Sequence, residues 1–363
     1  MFNYFLILFA LIGLIDYVLN NKYGYGNEFL EGISSIPSLI LSMLGILTLI
    51  PAIKYILQPC VKLLSFITLA DQSLFINSLL ASDMGGFALG KLISTDITGI
   101  YFSGILVGSM LGSTISFTIP IAFGLISSED KPLFSKGVLI GIFTIPIGCF
   151  VGGLVAKFPL KFLLINIIPI IVLSAILGTF LKFYPQQTIK SFIKLELFLK
   201  YLSVIGICIF IIEFLGNISI LNSNVDNLNN IKIILKIAFT LAGALPFLFF
   251  IKNTFDKLLN FISIYLNINN HSVTGLLASL ANNILAFKLL KNMDYNGKII
   301  NSAFSVSGAF VFGGQLAFTL AVAPEMLFPF IIGKLSAGLS AIFFAKRIIL
   351  KEKYYELKKN KCY

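Results

Sequence analysis

The chain has 363 residues, of which 57% are apolar and 12% charged, with a formal net charge of +11. A soluble domain carries ~25% charged residues, and half that number could not cover its surface. The composition therefore excludes a globular cytosolic enzyme, a nucleic-acid binder and a disordered chain, and points to an all-α protein that crosses a lipid bilayer many times.

Apolar stretches near the ~20 residues a helix needs to span a bilayer fall at 2–19, 37–57, 98–126, 133–156, 160–182, 195–216, 233–251, 299–322 and 325–345. The first carries Asp16 and has no small-residue cleavage site, so it reads as a span and not as a removed leader. Polar segments at 20–36, 127–132, 183–194 and 217–231 read as loops. Two more apolar regions, 63–93 and 258–290, are interrupted. The breaks are Asp71-Gln72 and Asp83-Met84-Gly85-Gly86 in the first, and 267–271 and Asn282-Asn283 in the second. The end of the chain, 346–363, holds seven Lys/Arg against Glu352 and Glu356. That excess places the C-terminus in the cytoplasm under the positive-inside rule.

An internal repeat organises these spans. Residues 62–67 (KLLSFI) recur as 257–262 (KLLNFI), and Pro51 lies at the same offset from Pro246. Leu80-Ala81-Ser82 recurs as Leu277-Ala278-Ser279, Lys91-Leu92 as Lys288-Leu289, and Phe117-Thr118 as Phe318-Thr319, with Gly112 opposite Gly313. The expected division is an N-terminal span and loop (1–39), a first repeat (40–157), two connecting spans (158–235), a second repeat (236–347) and a basic tail (348–363). If the interrupted regions enter and leave on one side, five crossings separate equivalent points and the copies are inverted. Loop lysines then divide eleven inside to six outside; a parallel arrangement gives eight to nine. The positive-inside rule favours inversion. The expected architecture is an inverted-repeat, transporter-like bundle of nine full spans and two re-entrant broken helices.

In such folds substrate binds near the midplane, where broken helices expose backbone and half-helix ends to a cavity. The candidate substrate-binding residues follow from that rule. Asp83 is a carboxylate at membrane depth, a functional candidate by default, against the alternative of a solvated loop acid. Gly85 and Gly86 permit close backbone approach. Their repeat mates Asn282 and Asn283 offer amide donors and acceptors to a polar ligand, or cap a half-helix. Ser113 and Thr114 follow a Gly104-Gly108-Gly112 stripe, which is either a packing face or the approach to a cavity. Gln315 occupies the corresponding place in the second copy. Gly112, Pro120 and Pro146 are expected as break or kink points. Lys334, inside the last span, should pair or snorkel. Asp71 is a weaker acid candidate; Asp16, Glu196 and Glu213 sit near span ends; His271 reads as a loop residue. Four scattered cysteines and one histidine form no metal-binding or triad spacing, so neither a metal, a cofactor nor an enzymatic activity is expected.

Several strings together resemble one family. They are 79–86 (LLASDMGG), 108–115 (GSMLGSTI), 117–122 (FTIPIA), 144–149 (TIPIGC), 280–284 (LANNI) and Gly333-Lys334-Leu335. In order and over most of the chain, they are similar to the ethanolamine permeases of bacterial ethanolamine utilisation systems. The resemblance implies a bacterial inner-membrane protein that brings a small amino alcohol to a cytoplasmic ammonia-lyase. It carries the family's Asp-Met-Gly-Gly onto Asp83–Gly86 and its Asn-Asn pair onto Asn282-Asn283. One departure stands out. Where the family is expected to have Gly-Asp-His-Leu, this chain has Gly313-Gly314-Gln315-Leu316. A channel-like facilitator, a carrier for another small amine or polar solute, a non-transporting membrane sensor and a homo-oligomeric state all remain open to this reading.

Overall fold

The structure, a computed structural model, describes residues 2–81, 86–94, 96–216, 218, 220, 227–254 and 263–360. The described residues are overwhelmingly helical, because a helix satisfies every internal backbone group without water. Seven described helices are long and apolar enough to cross a membrane, and rows of Leu, Ile and Phe on their outer faces are left exposed, as on Leu164, Ile168 and Ile171. The chain is a multi-pass membrane protein.

In chain order the elements are α1 (Phe2–Val18), α2 (Tyr25–Ile33), a continuous helix α3 (36–68), and two short helices α4 (Gln72–Leu80) and α5 (Gly86–Ile93). Four long helices follow: α6 (Ile97–Leu125), α7 (Lys131–Val155), α8 (Leu160–Phe183) and α9 (Pro185–Gly216). Then come α10 (Asn227–Thr254), the short pair α11 (Asn270–Ala281) and α12 (Asn283–Leu289), α13 (Tyr295–Ser307), α14 (Gly314–Val322) and α15 (Leu327–Asn360). Of the segment 183–194, expected as a loop, Phe183 closes α8 and the residues from Pro185 onward are the start of α9. Thr188, Ile189 and Phe192 are buried between its lysines and give that turn an inward face.

Both interrupted regions turn back on themselves. Helix α4 is capped by Asp71, whose Oδ1 accepts from the Ser73 N–H (2.9 Å). The other carboxylate oxygen accepts from the Ser94 hydroxyl (2.6 Å), just beyond the end of α5. Entry and exit of the α4–α5 pair are thus joined. Asn269 caps α11 in the same way, accepting from Ser272 N (2.9 Å), and its own N–H donates to Asp294 Oδ1 (2.9 Å), beyond the end of α12. Nine residues of α4 and eight of α5 rise ~12–14 Å each, under half of a ~30 Å hydrocarbon layer. These are re-entrant elements. Asp71 serves their closure and not a substrate site.

The region 299–322 is not the uninterrupted span expected. It breaks at 308–313 between α13 and α14, with Phe310 in the left-handed region (φ 59°). The freed backbone is repaired from α11: Phe310 N donates to Ser279 O and Phe312 N to Leu280 O, both 2.9 Å. The stretch 270–322 therefore carries two breaks bonded to each other. Helix α6, by contrast, is unbroken and is the most enclosed of the seven long helices. It widens into π-helical turns over Phe102–Gly112 and Thr114–Thr118. No break occurs at Gly112–Thr114. Gly112 is there for close approach, since a Cβ would lie 2.3 Å from Asn77 O. Pro120 opens the α-helical end of α6, where a missing N–H is tolerated. Helix α7 runs on through Pro146.

Backbones also touch where α9 crosses α3. A Cβ on Gly206 would sit 1.9 Å from Gly45 O. Replacing Gly206 by Val should force the two helices apart at ~1–3 kcal/mol, the usual scale of overpacking. The expected result is a lowered thermal midpoint in detergent; an unchanged melt would mean that these helices do not pack this way.

Candidate functional site

The polar groups buried inside the bundle gather along α6, where it faces the three breaks. Ser116 (4% exposed) donates to Ala81 O (3.0 Å), at the end of α4, and to Gly112 O (2.8 Å). Thr114 Oγ1 lies 2.6 Å from Met110 O and 2.8 Å from Val306 O, which ties α6 to α13. Ser113 bonds back to Ser109 O (2.7 Å) within its own helix. Asn283 is fully buried; its Nδ2 donates to Ser305 O (2.9 Å) and reaches Thr118 Oγ1 (3.4 Å). Lys334 (1% exposed) extends from α15 to donate to Ser109 O (2.8 Å) and to Gln315 Oε1 (2.6 Å). Helix α6 thus serves all three breaks.

The two asparagines, paired in sequence, divide the work. Asn282 caps α12, accepting from Ile284 N (2.9 Å), which is the structural reading of that residue. Asn283 points inward, and its Oδ1 has no hydrogen-bond partner among the described residues; nor has Gln315 Nε2. Buried amides are seldom left so. Gly86, at the start of α5, packs on α6, where a Cβ would lie 2.9 Å from Gly104 O. Asp83 and Gly85 lie outside the described residues.

A cavity of about 760 Å³ opens between α2, α9 and α10 and runs to these breaks. Its lining is mostly apolar, with Leu the commonest residue. Glu28, Glu31 and Glu196 line it, and Glu31 is exposed to solvent. Ser116, Asn282 and Gly314 line it next to the breaks. The edge-to-face rings of Phe117 and Phe310 (centroids 5.8 Å apart) also border it. Gln315 and Asn283 thus each follow a cavity-lining residue directly in the chain.

The helical register alters one sequence argument. Ala81 ends α4 as Asn282 ends α11, because α11 is three residues longer (nine against twelve). The sequence match sets Ala81 opposite Ala278, which lies inside α11, so the two breaks do not fall at aligned positions. Lys334 is the residue that sequence reasoning undervalued. Its signal, an ionisable side chain within an apolar span, was present, but its partner Ser109 is 225 positions away. His271 lies in the exposed first turn of α11 and not in a loop. Asp16 is buried and holds the turn after α1, accepting from Tyr23 N (2.9 Å) and Gly26 N (3.0 Å).

A family model described as "Ethanolamine utilisation protein, EutH" matches residues 1–348. The chain belongs to the EutH family. It is 42% identical to "Probable ethanolamine permease EutH" of Listeria monocytogenes, over 97% of this chain and 96% of the relative. Identity to the Escherichia coli protein of the same name is 36%, over 96% and 95%. "Uncharacterized protein YxeR" of Bacillus subtilis is 38% identical over 93% and 91%. No solved structure matches the chain. The α6 hub and the three breaks lie within the matched region.

Proposed function

We propose that the protein is an ethanolamine permease of the bacterial cytoplasmic membrane, with its C-terminus inside. The reading rests on family membership together with a cavity that ends where re-entrant helices break. Breaks at membrane depth are tolerated only where protein or a cavity satisfies them, and transporters place substrate there. An aliphatic amine is a cation at neutral pH. Glu28, Glu31 and Glu196 outnumber Lys200 along the cavity, and that acidic excess favours its entry electrostatically, while Asn283 and Gln315 offer an open acceptor and an open donor farther in. The enclosed polar groups favour a carrier over a continuous pore, because substrate can reach them only if the cavity wall rearranges. Counterflow in proteoliposomes is the test. Labelled ethanolamine should accumulate transiently against unlabelled ethanolamine, and choline and serinol should compete less well. Absence of saturable counterflow would reject a carrier; absence of any uptake would reject a permease.

The same reading includes an inverted duplication, 40–157 against 236–347. Gly45 of α3 abuts α9, the helix that precedes the second copy, while Gly243 of α10 abuts Leu6 of α1, which precedes the first. That reciprocal packing suits a two-fold relation between copies. Lys91 and Lys288 are both exposed near the ends of their re-entrant elements. Single cysteines at these positions should be labelled from opposite sides of the membrane by an impermeant thiol reagent. Labelling from one side would leave only a parallel arrangement.

A further inference from the structure

Lys334 bears on how a substrate would be oriented. An ammonium group has donors only, so the Gln315 atom it meets at 2.6 Å is the amide oxygen. This contact removes the usual ambiguity over which way a glutamine amide points. Gln315 Nε2 must then face away from Lys334. It is buried, and its two N–H donors have no partner among the described residues. Ser109 O holds the lysine from the other side at 2.8 Å, so the ammonium is clamped between α6 and α14. Gln315 itself stands in the first turn of α14, directly after the 308–313 break. A fixed, unsatisfied donor has a defined complement, an oxygen acceptor on the ligand.

We propose that Lys334 is a positioning residue for specificity: it locks Gln315 so that Nε2 donates to the hydroxyl oxygen of an amino alcohol. The inference rests on the permease reading and names what distinguishes an amino alcohol from a plain amine. A site built around a hydroxyl partner discriminates strongly against the analogue lacking it, because the buried donor is then left unpaired.

The test compares ethanolamine with ethylamine, which keeps the ammonium and lacks the hydroxyl, as substrates for initial uptake into proteoliposomes. Wild type should prefer ethanolamine. Gln315→Glu keeps an oxygen for Lys334 and removes the outward donor, so the preference should fall by roughly tenfold or more, the factor corresponding to one net hydrogen bond. Lys334→Met frees the amide; KM for ethanolamine should rise while KM for ethylamine stays within about twofold, since only the hydroxyl contact is lost. Lys334→Gln, which can still donate to Gln315 Oε1, should recover part of the preference. Unchanged selectivity in Gln315→Glu overturns the proposal. So does equal loss of both substrates in Lys334→Met and Lys334→Gln, which would mark the clamp as structural only. A wild type that moves both amines equally well also overturns it while leaving permease activity intact; a wild type that moves neither overturns the permease reading itself.

Discussion

Asp83→Asn is expected to reduce ethanolamine uptake thirty-fold or more while the protein still inserts and folds. The substitution keeps the shape of the side chain and removes its charge. The described groups around the breaks are Ser, Thr, Asn and Gln, with Lys334 the charged residue among them. None of those neutral groups replaces the water around an ammonium as a carboxylate can. The residues that flank the 82–85 segment are themselves buried: Ala81 is 1% exposed and bonded to Ser116, and Gly86 packs on Gly104. Removing one partner of a buried charge pair costs ~2–5 kcal/mol, which at ~1.4 kcal/mol per decade is about thirty-fold at the lower end. The measurement is the saturation curve for labelled ethanolamine, normalised to protein in the membrane. An unaltered KM and maximal rate would return Asp83 to a structural role.

The parts of the fold that were legible in the sequence were those marked by polar side chains inside apolar runs. Asp71 and Asn282-Asn283 interrupt hydropathy, and the chain does turn back at both re-entrant elements, with Asp71 and Asn269 as the caps. The third break was not legible because its residues, 308–313, are glycine, alanine, valine and phenylalanine. Its orphaned backbone is satisfied by Ser279 O and Leu280 O of another helix, and such a partner leaves no trace in local composition. The converse error occurred at Gly112–Thr114. Small and hydroxyl residues beside Pro120 read as a break, yet α6 continues, because its serines and threonines bond back to preceding carbonyls and its glycines are taken up by contact with α4 and α5. Of the candidate site, residue types were readable and pairings were not. Nothing local predicts that Lys334 meets Gln315, or that one of two adjacent asparagines caps a helix while the other is buried.

The scaffold that holds α6 in place should be the most sensitive to charge. Lys298 of α13 pairs with Asp130, at the start of α7, at 2.6 Å; the side chains are only 18% and 6% exposed. Asp130 also accepts from Ser127 (2.8 Å), so the acid is held in a fixed geometry before α7 begins. Deleting either charge alone leaves the other partly desolvated and unpaired. The expected loss of stability for Lys298→Met or Asp130→Asn is ~2–3 kcal/mol, somewhat below the ~3–5 kcal/mol of a fully buried pair, because water still reaches the lysine. The double variant should lose less than the sum of the two, since the second deletion removes the charge that the first one stranded. This cycle can be read from denaturation midpoints in detergent, and uptake should fall only in proportion to folded protein. Additive losses would show that the pair is not coupled. A large uptake defect with unchanged stability would instead move Asp130 and Lys298 out of the scaffold and into the transport cycle, as a contact made and broken while the α11–α14 breaks rearrange.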